Sequence, residues 1–231
     1  HQSLSVVKLT LVTTIILIVA GGWHLKQNHQ QEFARYLHKP EQRTISASQW
    51  WNQAWETLPA FRIDMEGDLS QPLTIQWAGS LTQLQSRLEQ QGWRAPQRLS
   101  FKTALGWLTP EQTLTDLPLL PQAHSGHNES LALVYEDSQS ETLLVLRLWP
   151  SDIKLIDANT IVWLGNISFM RLKTLPLLTY TKTENNFDEP LKHLEPYISG
   201  FNWQRKKRHI KPPLASNDIV NWQGDVILIK E

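Results

Sequence analysis

Residues Leu9 to Leu25 (LTLVTTIILIVAGGWHL) run for 17 positions without a formal charge, bracketed by Lys8 and Lys26. Wound as a helix, such a run reaches roughly 25 Å, the short end of what crosses a bilayer core. Trp23 stands where an interfacial aromatic would, and a lipid environment tolerates the β-branched residues of the run. The segment is read as a transmembrane helix. Two other readings stay open: a secretory signal using the small residues Ala20-Gly21-Gly22, and a buried core helix, for which the run is long. After it come Lys26, Arg35, Lys39 and Arg43, offset by Glu32 and Glu41, whereas only Lys8 precedes it. Taken alone, that positive-inside count puts the body in the cytoplasm. The chain opens on His1 and is read as a piece of a longer protein.

The 231 residues suffice for one domain with a proper core or for two small ones. With 22 basic and 22 acidic side chains the chain is neither a disordered polyelectrolyte nor a globally basic nucleic-acid binder. Cysteine is absent, which removes disulfides, thiolate metal sites and a thiol nucleophile.

Gln27 to Arg43 is polar and reads as a stalk. Ser46 and Gln49 form a capping box for a helix over Ser46–Leu58, in which Trp51, Ala54, Trp55 and Leu58 make one apolar stripe and Pro59 is the stop. Leu73–Trp77 reads as a strand, Ala78-Gly79 as its turn, and Ser80 with Gln83 as the cap of a helix carrying Leu81, Leu84 and Leu88 that Gly92 ends. Phe101–Leu108 and a segment opening at Thr109-Pro110 read as further helices. Beyond Ser130 the pattern changes to strands at Leu131–Tyr135, Leu143–Leu148, Lys154–Asp157, Thr160–Ile167, Leu175–Thr181 and Val226–Lys230. Glu136–Ser140 is read as a hairpin loop and Asp188–Ile198 as a helix. Helices ahead of hairpins give an α+β fold with a mainly antiparallel sheet and helices packed on it, preceded by one transmembrane helix. The expected division is 1–26 membrane helix, 27–45 stalk and 46–231 soluble domain.

The search for chemistry returns little. His124-Ser125-Gly126-His127-Asn128-Glu129 offers two imidazoles and a carboxylate, but His-x-x-His in a loop lacks the rigid spacing of a metalloprotease helix. Ser125 with His127 has no nucleophile elbow around it and no third member. Ser-Gly-His also echoes a motif of PAP2-type phosphatases, yet the basic partner motifs that would neutralise a phosphoryl transition state are missing. A loop turning on Gly126 is the plain reading. The helix start at Ser80 has one glycine and no phosphate-loop pattern, so it is not read as an anion site. Glu66, Asp68, Asp152, Asp157, Glu184, Asp188 and Glu189 fall on expected loops with no spacing that pairs any two. No cofactor or metal is expected.

Arg205, Lys206, Lys207, Arg208 and Lys211 form a local basic run. Beside a bilayer such residues attract anionic headgroups, and they are the candidate membrane-surface contacts; the plainer reading is an exposed edge strand protected by lysine. Among the eleven tryptophans, Trp50, Trp51, Trp55, Trp77, Trp93, Trp107, Trp149 and Trp163 lie in or beside expected elements, which favours packing over sugar stacking.

The order of segments carries more than any one residue. WWNQAWETLPAFRIDMEGDLSQPLTIQWAG, LQSRLEQQGW, LGWLTPEQTLTDLPLLPQAHSGHNESLALV, LVLRLWPS and VWLGNIS, together spanning about Gln49 to Ile198, resemble the LssY C-terminal domain. The points of likeness are Ala78-Gly79, Gly92-Trp93, Leu117-Pro-Leu-Leu-Pro121, Arg147-Leu-Trp149 and Trp163-Leu-Gly165. The resemblance implies a domain that ends a polytopic bacterial membrane protein, after a DedA-type and a PAP2-type lipid phosphatase region. It thereby implies an inner-membrane location with the soluble body on the periplasmic side, against the visible charge count. It supplies no catalytic residues. The expected function is a non-catalytic accessory domain whose partners are membrane lipids, the upstream membrane domains and an envelope protein, with no nucleic acid. The alternatives are a membrane-anchored hydrolase using His124 and His127, and a scaffold of an envelope or secretion complex.

Overall fold

The computed structural model describes residues 42–97, 114, 117–136, 142–175, 178–209 and 220–231. The expected membrane helix Leu9–Leu25, nearly all of the stalk, the helices expected over Phe101–Leu108 and from Thr109, most of the Glu136–Ser140 loop and Lys211 lie outside them. Among the described residues no helix is long and apolar enough to cross a membrane.

The fold is a sheet-rich α+β arrangement built on one eight-stranded sheet. Its strands are β1 (Arg43–Ile45), β4 (Ile75–Ala78), β7 (Leu131–Glu136), β8 (Leu143–Leu155), β9 (Thr160–Leu175), β10 (Leu178–Thr183), β11 (Asn202–Lys207) and β12 (Asp225–Lys230). Two small hairpins stand apart from it, β2 (Phe61–Ile63) with β3 (Leu69–Pro72) and β5 (Ala123–His124) with β6 (His127–Asn128). Among the described residues the α-helices are α1 (Ala47–Asn52), α2 (Leu81–Glu89) and α3 (Asp188–Ile198).

Strands β8 and β9 are the spine, paired antiparallel along most of their length. The two strands expected at Leu143–Leu148 and Lys154–Asp157 are one strand. Its register shifts between Pro150 and Lys154, where a residue without an N–H interrupts the ladder at little cost. One end of the spine takes β7 and β10 as neighbours; the other continues as β1-β8-β9-β4-β12-β11. The pairs β1–β8 and β4–β12 are parallel, which local patterning does not reveal, because the partners are far apart in sequence. Strand β1 also draws the last three residues of the expected stalk into the sheet.

Alternation along the strands places apolar clusters on both faces of the sheet. On one face Ile75, Trp77, Leu133, Leu144, Leu146, Ile227 and Ile229 meet Leu84 and Leu88 of α2 and Leu191, Leu194 and Ile198 of α3. On the other, Trp149, Ile153, Leu155, Val162, Leu164 and Leu228 meet Trp50, Trp55, Leu58, Phe61 and Trp222. Burial on both faces is why β8 and β12 read as continuous apolar runs.

The helix expected over Ser46–Leu58 forms, but broken. Ser46 caps it, its hydroxyl accepting from the Gln49 N–H at 3.1 Å; the α-helix then ends at Asn52 and a 3-10 turn follows over Ala54–Thr57. The break shifts the phase, so Trp50, not Trp51, joins Trp55 and Leu58 in the core. Gln76, buried in the sheet, fastens both pieces: its Oε1 accepts from Trp50 Nε1 at 2.9 Å and its Nε2 donates to the Trp55 carbonyl at 2.8 Å.

Candidate functional site

The His124–His127 stretch is a two-residue hairpin whose turn residues Ser125 and Gly126 take φ of 48° and 79°. His124 faces inward, 4% exposed, with its ring edge-on to Trp149. Its Nδ1 accepts from the Ile63 N–H at 3.1 Å, so that lone pair is taken. Burial, with Arg62 and then His127 adding positive charge, lowers its pKa to about 4. The expected solvated loop is therefore half interior. Among the described residues no group of three or more His, Asp or Glu side chains is arranged to hold a metal ion.

Next to His124 lies a buried polar seam. Arg147 and Arg62 are both buried. Glu129 pairs with Arg147 at 2.9 Å and its second oxygen accepts from the Gln122 N–H at 2.6 Å. Arg62 donates to the Ala123 carbonyl at 2.6 Å and to the Ser70 hydroxyl at 2.9 Å. Desolvation by burial lowers the pKa of both guanidinium groups, opposed by Asp64 and Glu129 at Arg62 and by Glu129 at Arg147. These groups clamp the two hairpins to the spine.

The basic run forms the edge strand β11 and its exit. Arg205 pairs with Glu195 of α3 and with Asp225 of β12, the latter at 2.8 Å. Arg208 is 2% exposed and donates to the carbonyls of Trp55, Glu56 and Leu58 at 2.9–3.0 Å, over the Trp55 ring. Lys206 is half-buried and Lys207 exposed. The run thus divides into two internal ties and two lysines toward solvent, with Lys211 outside the described residues.

The helix start at Ser80 is met by a carboxylate of the chain itself: the Ser80 N–H donates to Glu231 Oε1 at 2.8 Å. Asp157 similarly accepts from the Ala47 N–H at the start of α1, and Asp188 from the Gln223 N–H. Asp188 and Glu189 lie in the first turn of α3, where the helix expected over Asp188–Ile198 begins.

A cleft of about 570 Å³ lies between α3 and the β7–β8–β9 end of the sheet. Tyr135, Phe169, His193 and Tyr197 give it aromatic walls; Arg171, Glu184, Asn186 and Glu189 give it polar ones. Apart from Glu184 and Glu189, noted only as unpaired carboxylates, sequence reading passed over these residues, since they come from β7, β9, α3 and the segment before α3 and no motif joins them. The one local signal was the four-residue spacing of Glu189 and His193, which places both on one face of a helix.

No curated protein and no solved structure matches the chain. The family described as the LssY C-terminus matches residues 55–230, from the 3-10 turn that carries Trp55 to the last residue of β12. Over the two hairpins, the spine, α2, α3 and the cleft between them, this chain belongs to the LssY C-terminus family.

Proposed function

We propose that the chain is a membrane-anchored accessory domain, tethered through Leu9–Leu25 and appended to DedA-type and PAP2-type membrane regions, with its body on the periplasmic side of a bacterial inner membrane. The observation that supports this reading is the use made of the polar interior. The hydrogen bonds that His124, Arg62, Arg147, Glu129 and Arg208 make go to backbone, to one another or, from Arg62, to the Ser70 hydroxyl. Lys206 and Lys207, with Lys211, are the residues offered to anionic headgroups. The decisive experiment removes residues 42–231 from the complete membrane protein and verifies insertion of the remainder. Turnover persists with altered substrate access or stability if the domain is accessory; complete loss of turnover in an inserted truncated protein overturns the reading.

A further inference from the structure

We propose that the cleft between α3 and the β7–β9 end of the sheet binds a neutral saccharide. Its walls are aromatic. Tyr135 and Tyr197 stand 5.0 Å apart at 53°, and both rest on Trp93, at 5.7 and 5.6 Å. Trp93 is itself 2% exposed, so the tyrosine rings are set on a fixed floor. Gly92, at φ +93°, lets the chain turn beneath them, and a Cβ there would touch the Tyr135 ring at 3.4 Å. Across the cleft, His193 meets Phe169 edge-on at 5.2 Å. The rings of Tyr135, Phe169 and Tyr197 are half-buried, with part of each toward the opening.

The charges between these rings decide the ligand class. Glu184 is paired with Arg171, and Glu189 with Lys192 at 3.1 Å and with His193 at 3.8 Å. Each carboxylate already has its cation, so neither a phosphate nor an ammonium group finds an unbalanced partner. What remains is a dense set of hydrogen-bonding groups without net charge. They are held by the fold: the Glu184 N–H donates to the Phe169 carbonyl at 2.8 Å, and Asn186 Oδ1 accepts from the N–H groups of Asp188 and Glu189. Aromatic faces beside fixed carboxylate, amide and guanidinium groups suit a pyranose ring, whose C–H face packs on aromatic surface while its hydroxyls bond in the ring plane. The volume lies within the range of small-molecule sites and accommodates more than one sugar ring.

The test is saturation-transfer NMR on the full chain, kept in a detergent with no sugar headgroup. The probes are glucose, galactose, N-acetylglucosamine and cellobiose, run beside choline and inorganic phosphate. The proposal expects transfer to the ring protons of at least one sugar and to neither charged probe. Phe169→Ala then weakens that sugar's binding by about tenfold or more. Because Phe169 packs against the core, His193→Ala and Glu189→Gln, both on the exposed surface of α3, serve as variants that leave folding intact and still weaken binding. Transfer to choline or phosphate in place of the sugars, no transfer to any sugar, or sugar binding unchanged in all three variants overturns it. None of these outcomes bears on membrane anchoring, which the truncation experiment tests separately.

Discussion

Arg208 is a cation used as a cap. The 3-10 turn at Ala54–Thr57 ends against it, and the carbonyls of Trp55, Glu56 and Leu58, which have no further turn to accept from, take its N–H groups instead. Burial pulls its pKa down to about 10, with nearby Glu56 opposing, so it stays charged at neutral pH. Arg208→Ala takes the donor from the carbonyls of Glu56 and Leu58, leaves the Trp55 carbonyl with Gln76 alone, and is expected to cost about 3 kcal/mol. Lys207→Ala, one residue away on the exposed side, is expected to stay within about 0.5 kcal/mol of the parent. Urea denaturation of the two variants checks the contrast, and equal midpoints would refute it. His124 makes a second residue-scale prediction. Its folded-state pKa of about 4 lies below the unfolded value near 6.5, so between those limits the unfolded chain binds more protons. Its contribution is therefore full above about pH 6.5 and is lost as the pH falls toward 4, by about 3 kcal/mol. Replacing His124 with Asn should flatten the stability–pH curve across that window, and an unchanged slope would show that other groups produce it.

At the scale of elements, partners outside the element set its boundaries. Helix α1 stops at Asn52 although its pattern continues, because Gln76 from the sheet binds both Trp50 and the Trp55 carbonyl and holds the two pieces in different phase. Its start, by contrast, is local: Ser46 and Gln49 do what their types and spacing dictate. The spine depends on Gly165, which lies opposite Leu148 on one side and Ile75 on the other. A Cβ at Gly165 would collide with the Leu148 side chain and the Arg147 carbonyl oxygen. Backbone cannot step aside as a side chain can, so Gly165→Ala is expected to destabilise by about 2 kcal/mol or more. Thermal unfolding monitored by circular dichroism measures this; a wild-type midpoint would mean the strands separate there at no cost.

For the whole molecule, stability centres on the middle of the spine, buried under α2 and α3 on one face and under the Trp50–Trp55–Trp222 cluster on the other. The amides of Leu144–Leu148, Leu164–Ile167 and Ile227–Ile229 are accordingly expected to exchange with deuterium last and together, through global unfolding. Those of the β5–β6 hairpin should exchange sooner, through local opening. Simultaneous exchange of both sets would show that the polar seam of Arg62, Glu129 and Arg147 binds the hairpin as firmly as the core binds the spine.

The sequence by itself determined the α+β class, the caps at Ser46 and Ser80, the positions of α2, α3 and β12, and the packing role of Trp55, Trp77, Trp93 and Trp149. Each of these rests on spacing within one segment, where side-chain period and capping chemistry act over a few residues. The fusion of two expected strands into β8, the parallel pairs β1–β8 and β4–β12, the inward turn of His124, the division of the basic run and the cleft were decided by tertiary structure alone. They depend on contacts between segments as much as 153 positions apart, such as Trp55 with Arg208. A single sequence carries no local trace of such a contact, because its energy exists only once both partners have been brought together and dehydrated.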